Sequence, residues 1–97
     1  MEPALRGLIE QIIDNELSED MLSSNFRIFS QFMKRGLIDS VTSAMFGRIY
    51  SRAFSTWLEY KASHGKPVNQ NEATEFGRIF EARAVEIRSK ITEIANL

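Results

Sequence analysis

The stretch "DSVTSAMFGRIYSRAFSTWLEYKAS" at residues 39–63 decides the fold, because it reads as one long helix with apolar side chains on two sides. Its second half places apolar residues at helical spacing on a single face: Phe46, Ile49, Tyr50, Ala53, Phe54, Trp57 and Tyr60. Its beginning and the residues just before it form a second face, turned well away from the first: Leu37, Ile38, Val41 and Met45. The stretch has no proline and only one glycine, so we expect a continuous helix at the centre of the molecule.

The other helices follow from residues that begin or end helices. Pro3 suits the first position of a helix, Ser18 can cap the next one, and Asn69 with Glu72 forms a capping-box pattern. Gly36 is suited to ending the second helix. The sequence therefore predicts an all-α fold, a small antiparallel bundle of about four helices in a single domain, with the third helix central. The expected helices span 3–15, 19–35, 39–63 and 70–95, within the domain 1–97.

Self-association is the second expectation. A chain of 97 residues has few elements with which to cover both sides of the third helix. The second helix adds a broad apolar face, and the apolar spacing of the fourth helix resembles a coiled-coil seam. We therefore expect a homo-oligomer or a small subunit of a larger complex.

A short segment occurs twice: "FGRIY" at 46–50 returns as "FGRIF" at 76–80. In both copies the aromatic residues and the isoleucine share one face of the helix, while the arginine points away. Small residues recur at four-residue spacing beside each glycine, and such lines let helix backbones approach closely. We interpret the copies as similar packing patches and expect close helix packing at Gly47 and Gly77.

The net charge of −1 conceals three unequal segments. Residues 1–20 contain six acidic residues and one basic residue, whereas residues 21–66 contain seven basic and two acidic residues. The remainder is nearly neutral. The acidic segment neutralises the basic one within the fold or between subunits, or else the basic segment faces a polyanion. The charge pattern favours neutralisation and leaves the choice open.

The residue types give little support to catalysis or cofactor binding. The chain has no cysteine and one histidine, His64, so the usual zinc, copper and catalytic-triad sites lack their groups. No glycine-rich phosphate-binding loop occurs. We expect a non-enzymatic protein without metal or cofactor. No apolar run is long enough to span a membrane, which favours a soluble, cytoplasmic protein.

These features favour a protein-interaction or regulatory module that acts through a helical surface. The expected partner is a second copy of the chain or another protein. The predicted interaction surface lies on the third helix and consists of Val41, Met45, Arg48 and Arg52. The alternative is nucleic-acid binding by the basic middle segment through Arg48 and Arg52, with Arg78 and Arg88 as alternative basic contacts. The isoelectric point of 5.8 weighs against that alternative.

Overall fold

The computed structural model describes residues 1–96, which form four α-helices and contain no strand. The helices are α1 (Pro3–Glu16), α2 (Glu19–Lys34), α3 (Val41–Ser63) and α4 (Gln70–Ala95). α3 packs against each of the other three, so the predicted all-α class and the central third helix are confirmed. α3 begins two residues later than predicted because Ser40 caps it and Asp39 lies outside.

Side-chain caps explain where three of the helices begin. In each case a polar side chain accepts a hydrogen bond from the backbone N–H three residues later, which satisfies one of the free donors of the first turn. The pairs are Ser18 with Met21 (3.3 Å), Ser40 with Ser43 (3.1 Å) and Asn69 with Glu72 (2.8 Å). The predicted caps at Ser18 and Asn69 are therefore confirmed.

Two glycines end α2 and α3 in the same way. Gly36 and Gly65 have φ angles of 73° and 62°, a backbone conformation that residues with a Cβ rarely adopt. The N–H of Leu37 donates to the carbonyl of Phe32 at 2.9 Å, and the N–H of Gly36 donates to the carbonyl of Met33 at 3.0 Å. This is the Schellman arrangement, and it confirms the predicted stop at Gly36.

A buried line of side chains runs along α3 and explains its two apolar sides. Every fourth residue is buried: Met45, Ile49, Ala53, Trp57 and Lys61. Four residues exceed one helical turn, so each step rotates the line by about 40° around the helix. Successive parts of the line therefore face different neighbours along one continuous helix, as the sequence predicted.

α3 and α4 meet through aromatic rings. Moving along α3 from Phe46 to Trp57, the contacted ring of α4 changes from Phe80 to Phe76, with ring-centroid distances of 5.5 and 5.3 Å. Tyr50 lies between them, 5.1 Å from Phe80, and remains 42% exposed. The aromatic face predicted for α3 thus packs on α4 along one edge, and its other edge faces solvent.

The prediction of close helix packing at Gly47 and Gly77 is wrong within this chain. A Cβ added at either glycine would meet no atom within 4 Å outside its own helix backbone. The helices that carry these glycines do pack together, but they do so through the large rings beside the glycines. Spacing of small residues indicates where helices could approach closely, but here neither glycine faces a neighbouring helix at close range, and Gly47 is exposed to solvent.

We expect the variants Gly47→Ala and Gly77→Ala each to raise the free energy of unfolding by about 0.5–1 kcal/mol, because both positions are helical and have room for a methyl group. Urea unfolding monitored by circular dichroism measures the change. Gly36→Ala is the matched control, and its left-handed backbone should make it destabilising by about 1 kcal/mol. A loss of stability in the two helical variants would contradict the open space described for them.

Candidate interaction surface

The structure does not assemble the four residues of the predicted surface into an exposed patch. Met45 is only 1% exposed and belongs to the core. Val41 is half-buried and packs against the same core. The prediction is therefore wrong for Met45, because periodicity identifies an apolar face of α3 but not the helix that covers it. A charge at Met45 would disrupt the core and would not report on association.

Arg48 and Arg52 lie together at the end of α1, where they face one carboxylate. Arg48 Nε donates to Glu16 Oε1 at 3.2 Å, and Arg52 Nε lies 4.0 Å from Glu16 Oε2. Glu16 itself is 4% exposed, whereas both guanidinium groups remain accessible to water. The charge predicted to contact a partner is thus shared with an acid of the same chain.

The position of Glu16 explains why it needs two bases. Glu16 is the last residue of α1, where the negative end of the helix dipole disfavours a carboxylate. Burial adds a desolvation cost that only nearby positive charge offsets. Arg48 and Arg52, one turn apart on α3, supply that charge and hold the end of α1 on α3.

α1 is also tied to α4 by Arg83, a residue whose position in sequence gave no specific partner. Arg83 contacts Asp14 Oδ1 at 2.6 Å and Glu86 Oε2 at 2.9 Å, and it donates to the backbone carbonyl of Glu10 at 3.3 Å. The hydrogen bond to Glu86, with a further one to Asp14, raises the pKa of Arg83 above its ordinary value. The guanidinium therefore stays charged and joins the two helices.

The acidic start of the chain is also tied to the end of α3. The Glu2 carboxylate pairs with Lys66 and accepts a hydrogen bond from the Tyr60 hydroxyl at 2.8 Å. The hydrogen bonds from Lys66 and Tyr60 lower the pKa of Glu2. Internal neutralisation, one of the alternatives that the sequence left open, accounts for this pair and for those of Glu16.

A second buried charge pair joins α3 to α4. Lys61 Nζ donates to Glu72 Oε2 at 3.0 Å, and Trp57 Nε1 donates to Glu72 Oε1 at 2.6 Å. Burial by itself would raise the pKa of Glu72, but the hydrogen bonds from Trp57 and Lys61 outweigh it and lower that pKa below its ordinary value. The capping box predicted at Asn69 is therefore only half formed: Asn69 caps the helix, but the Glu72 carboxylate binds across to α3 instead of bonding back to the Asn69 N–H.

The remaining predicted basic contacts, Arg78 and Arg88, are exposed and lie in separate grooves. Arg78 lines a groove that it shares with Arg6 and Glu75, between α1 and α4. Arg88 lines a different one, opposite Ser43 near the beginning of α3. The structure does not bring these two arginines together into one basic patch.

His64 makes only local contacts at the end of α3. Its ring stacks on Tyr60 at a centroid distance of 4.0 Å, and its Nδ1 lies 2.8 Å from the Tyr60 carbonyl oxygen. The ring is exposed to solvent. No acid of the described chain bonds to it, so the imidazole has no partner that would activate it for proton transfer.

The basic residues of the middle segment that form no ion pair lie on α2 or just after it. Of the seven bases between residues 21 and 66, four pair with Glu2, Glu16 or Glu72. Within residues 1–96 the other three have no acid within 4.0 Å: Arg27, Lys34 and Arg35. The positive charge of the middle segment thus remains available on one helix.

Apolar side chains are exposed on the same part of α2. Ile28 is 48% exposed and Met33 47%, and Leu37, just after the helix, is 65% exposed. Phe32 is half-buried and packs edge-on against Phe29. We call this region the α2 surface, and it consists of Arg27, Ile28, Phe32, Met33, Lys34, Arg35 and Leu37. It extends around the helix, because Ile28 and Met33, five residues apart, differ by about 140° in direction.

Sequence reasoning missed the α2 surface, although two signals pointed to it. The apolar face of α2 is broad, and residues 21–38 contain no aspartate or glutamate. Only Leu22 and Asn25 of the whole helix are buried. The bundle covers the beginning of α2 and leaves the apolar residues of its second half in contact with water.

We expect Arg48→Met to lower the free energy of unfolding by about 1–3 kcal/mol, because it removes the hydrogen-bond donor of a buried carboxylate. Glu16→Gln should cost less than about 1 kcal/mol, since the two arginines stay solvated and the amide still accepts a hydrogen bond. Urea unfolding of the two variants and of the double variant measures the difference. Equal losses in the two single variants would contradict this account of Glu16.

Stability should fall with pH below 4.5, the ordinary pKa of Glu72. The folded protein holds that pKa lower, so the unfolded chain takes up a proton first, and the stabilisation is lost as pH falls through the folded value. Glu72→Gln should flatten this part of the profile, whereas Glu59→Gln, an exposed control, should not. Trp57, the only tryptophan, reports unfolding by its fluorescence. An unchanged profile in Glu72→Gln would contradict the lowered pKa.

Within residues 1–96, no helix combines the length and apolar composition needed to cross a bilayer. The same residues contain no cluster of three or more histidine, aspartate or glutamate side chains arranged to hold a metal ion. Comparisons with protein-family models, with curated proteins and with solved structures find no match to this chain.

Proposed function

We propose that this protein is a non-enzymatic interaction module that binds, through its α2 surface, a partly apolar protein surface that presents acidic side chains to the bases of α2. One observation carries the proposal. Three bases without an ion pair stand beside exposed apolar side chains, with no acid between residues 21 and 38. Arginine beside large apolar side chains is typical of the centres of protein interfaces.

The apolar residues supply the affinity in this proposal. Covering Ile28, Met33 or Leu37 removes hydrocarbon surface from water, and full burial of such a side chain is worth about 1.5–3 kcal/mol. Because each is already about half-covered or less, only part of that gain remains for binding. Arg27, Lys34 and Arg35 then select a partner that places acidic side chains opposite them.

Nucleic acid is a weaker candidate for the same surface. Arg48 and Arg52, the residues that supported it, share the carboxylate of Glu16. Glu19 and Asp20 in the first turn of α2 would repel phosphates. The exposed Ile28 and Met33 would also gain little from a phosphate backbone. Each of these features favours a protein partner.

Enzymatic roles find no support in the polar groups. The buried Lys61 and Glu72 bind each other and Trp57, so they are not open to a substrate. His64 is exposed and bonds to its own helix. A protein that acts by contact alone fits these arrangements better.

The proposal predicts that a photo-crosslinking amino acid at Met33 captures a protein in cells that make this chain. The same amino acid at Val85, an apolar position that is 80% exposed on α4, is the matched control. We expect a protein adduct at position 33 and none above background at 85. The double charge reversal Lys34→Glu with Arg35→Glu should remove most of the adduct, because the expected partner presents acidic side chains to these two bases.

Two results would contradict the proposal. Equal adducts at the two positions would mean that contact with α2 is not specific. An adduct that nuclease digestion removes would assign the surface to nucleic acid.

A further inference from the structure

We propose that the partner of the α2 surface is the α2 helix of a second copy, which crosses it in the opposite direction about a two-fold axis near Ile28. This inference rests on the proposed function and names its partner. Three properties of α2 indicate this partner: the charges at its two ends, the exposed residues between them and its length.

The two ends of α2 carry opposite charges that nothing else in the described chain neutralises. Glu19 and Asp20 lie in the first turn, and Lys34 and Arg35 lie at the end. Within residues 1–96, none of the four has an oppositely charged group within 4.0 Å. The ends are about 22 Å apart at 1.5 Å per residue, so they cannot pair within one helix.

Antiparallel crossing is the arrangement that pairs these charges. With the axis near Ile28, Asp20 of each copy approaches Arg35 of the other, and the two contacts are equivalent by symmetry. A parallel arrangement would place Asp20 beside Asp20 and Arg35 beside Arg35, which is repulsive. Charge complementarity therefore selects a second copy and fixes its direction.

The exposed side chains between the ends also fit this axis. Met21, Ile28 and Arg35 are seven residues apart, so they form one line along the helix, as in the seam of a coiled coil. Ile28 is at the centre of the line and about half-exposed, and Phe32 lies next to it, one turn further on. Crossing at Ile28 covers apolar surface on both copies at once.

The size of α2 sets the strength of the contact. Its 16 residues extend about 24 Å, which gives a contact smaller than the roughly 800 Å² per partner of a standard interface. We therefore expect reversible dimerisation with a dissociation constant in the range of about 1–100 μM. Increasing salt should weaken the dimer, since part of its stability comes from exposed charges.

Sedimentation equilibrium of the full chain tests the inference over a range of protein concentrations. The mass should rise with concentration from 11.1 kDa toward twice that value. Ile28→Glu should raise the dissociation constant at least about tenfold, because it places two carboxylates at the axis. Val85→Glu introduces the same charge at an exposed apolar position on α4 and should leave the constant unchanged. Circular dichroism verifies that both variants keep their helices.

Charge exchange tests the direction of crossing. Asp20→Arg and Arg35→Glu should each weaken the dimer, whereas the double variant restores opposite charges in the antiparallel dimer and should recover most of the affinity. In a parallel dimer the double variant would repel itself as the native chain does. Failure of the double variant to recover would overturn the antiparallel crossing.

The outcomes separate this inference from the proposed function. A chain that stays at 11.1 kDa at all concentrations, yet is crosslinked at Met33 to a different protein, overturns the second copy as partner and supports the interaction module. A dimer that survives Ile28→Glu overturns the α2 contact. A monomer without a crosslink at Met33 overturns both.

Discussion

The buried carboxylate of Glu16 requires positive charge beside it, and this requirement determines how α1 lies on α3. Arg48 and Arg52, one turn apart on the same side of α3, supply this positive charge. Two residues earlier, Asp14 contacts Arg83 of α4, so α1 is bound to both long helices at once. Sliding α1 along the bundle by one turn would leave Glu16 buried without its bases. The apolar residues of α1 provide burial, and the charges provide its register.

The same contacts determine which surface remains for a partner. The acids of α1 pair with bases of α3 and α4, and the carboxylate of Glu72 pairs with Lys61. α2 takes part in none of these pairs, although its segment of the chain is the most basic. The ion pairs of Glu16, Asp14 and Glu72 therefore join α1, α3 and α4, whereas α2 retains acids at one end and bases at the other. The net charge of −1 does not show this separation of charge along the chain.

Much of the fold could be predicted from the sequence because its signals are local. Ser18 and Asn69 cap the helices they were expected to cap, and Gly36 ends α2, since each interaction spans only a few residues. The unbroken α3 followed from the absence of proline. The surface could not be predicted in the same way, because exposure depends on distant elements. The sequence places Met45 on an apolar line whether that line is exposed or buried. Only the packing of the bundle shows that Met45 is buried.

Charged residues show the same limit. Arg48 and Arg52 were recognised as basic residues outside the aromatic face, but their partner Glu16 lies on another helix and sequence spacing does not connect them. Arg83 likewise has acids of α1 as partners. For α2, the absence of acids between residues 21 and 38 was visible in the sequence. That absence identifies α2 as a basic surface only because the other bases of residues 21–66 form ion pairs.

The Schellman turn at Gly36 affects how quickly α2 can be recognised. Two hydrogen bonds, from Gly36 to Met33 and from Leu37 to Phe32, close the last turn of the helix. Met33 and Leu37 are therefore held in position on a capped helix end, although both are exposed. A partner that meets this end encounters a backbone already in place, so little backbone entropy is lost on binding, and the remaining entropy cost comes from the rotamers of Met33 and Leu37. Association would then be limited by collision and orientation more than by folding of the contact segment.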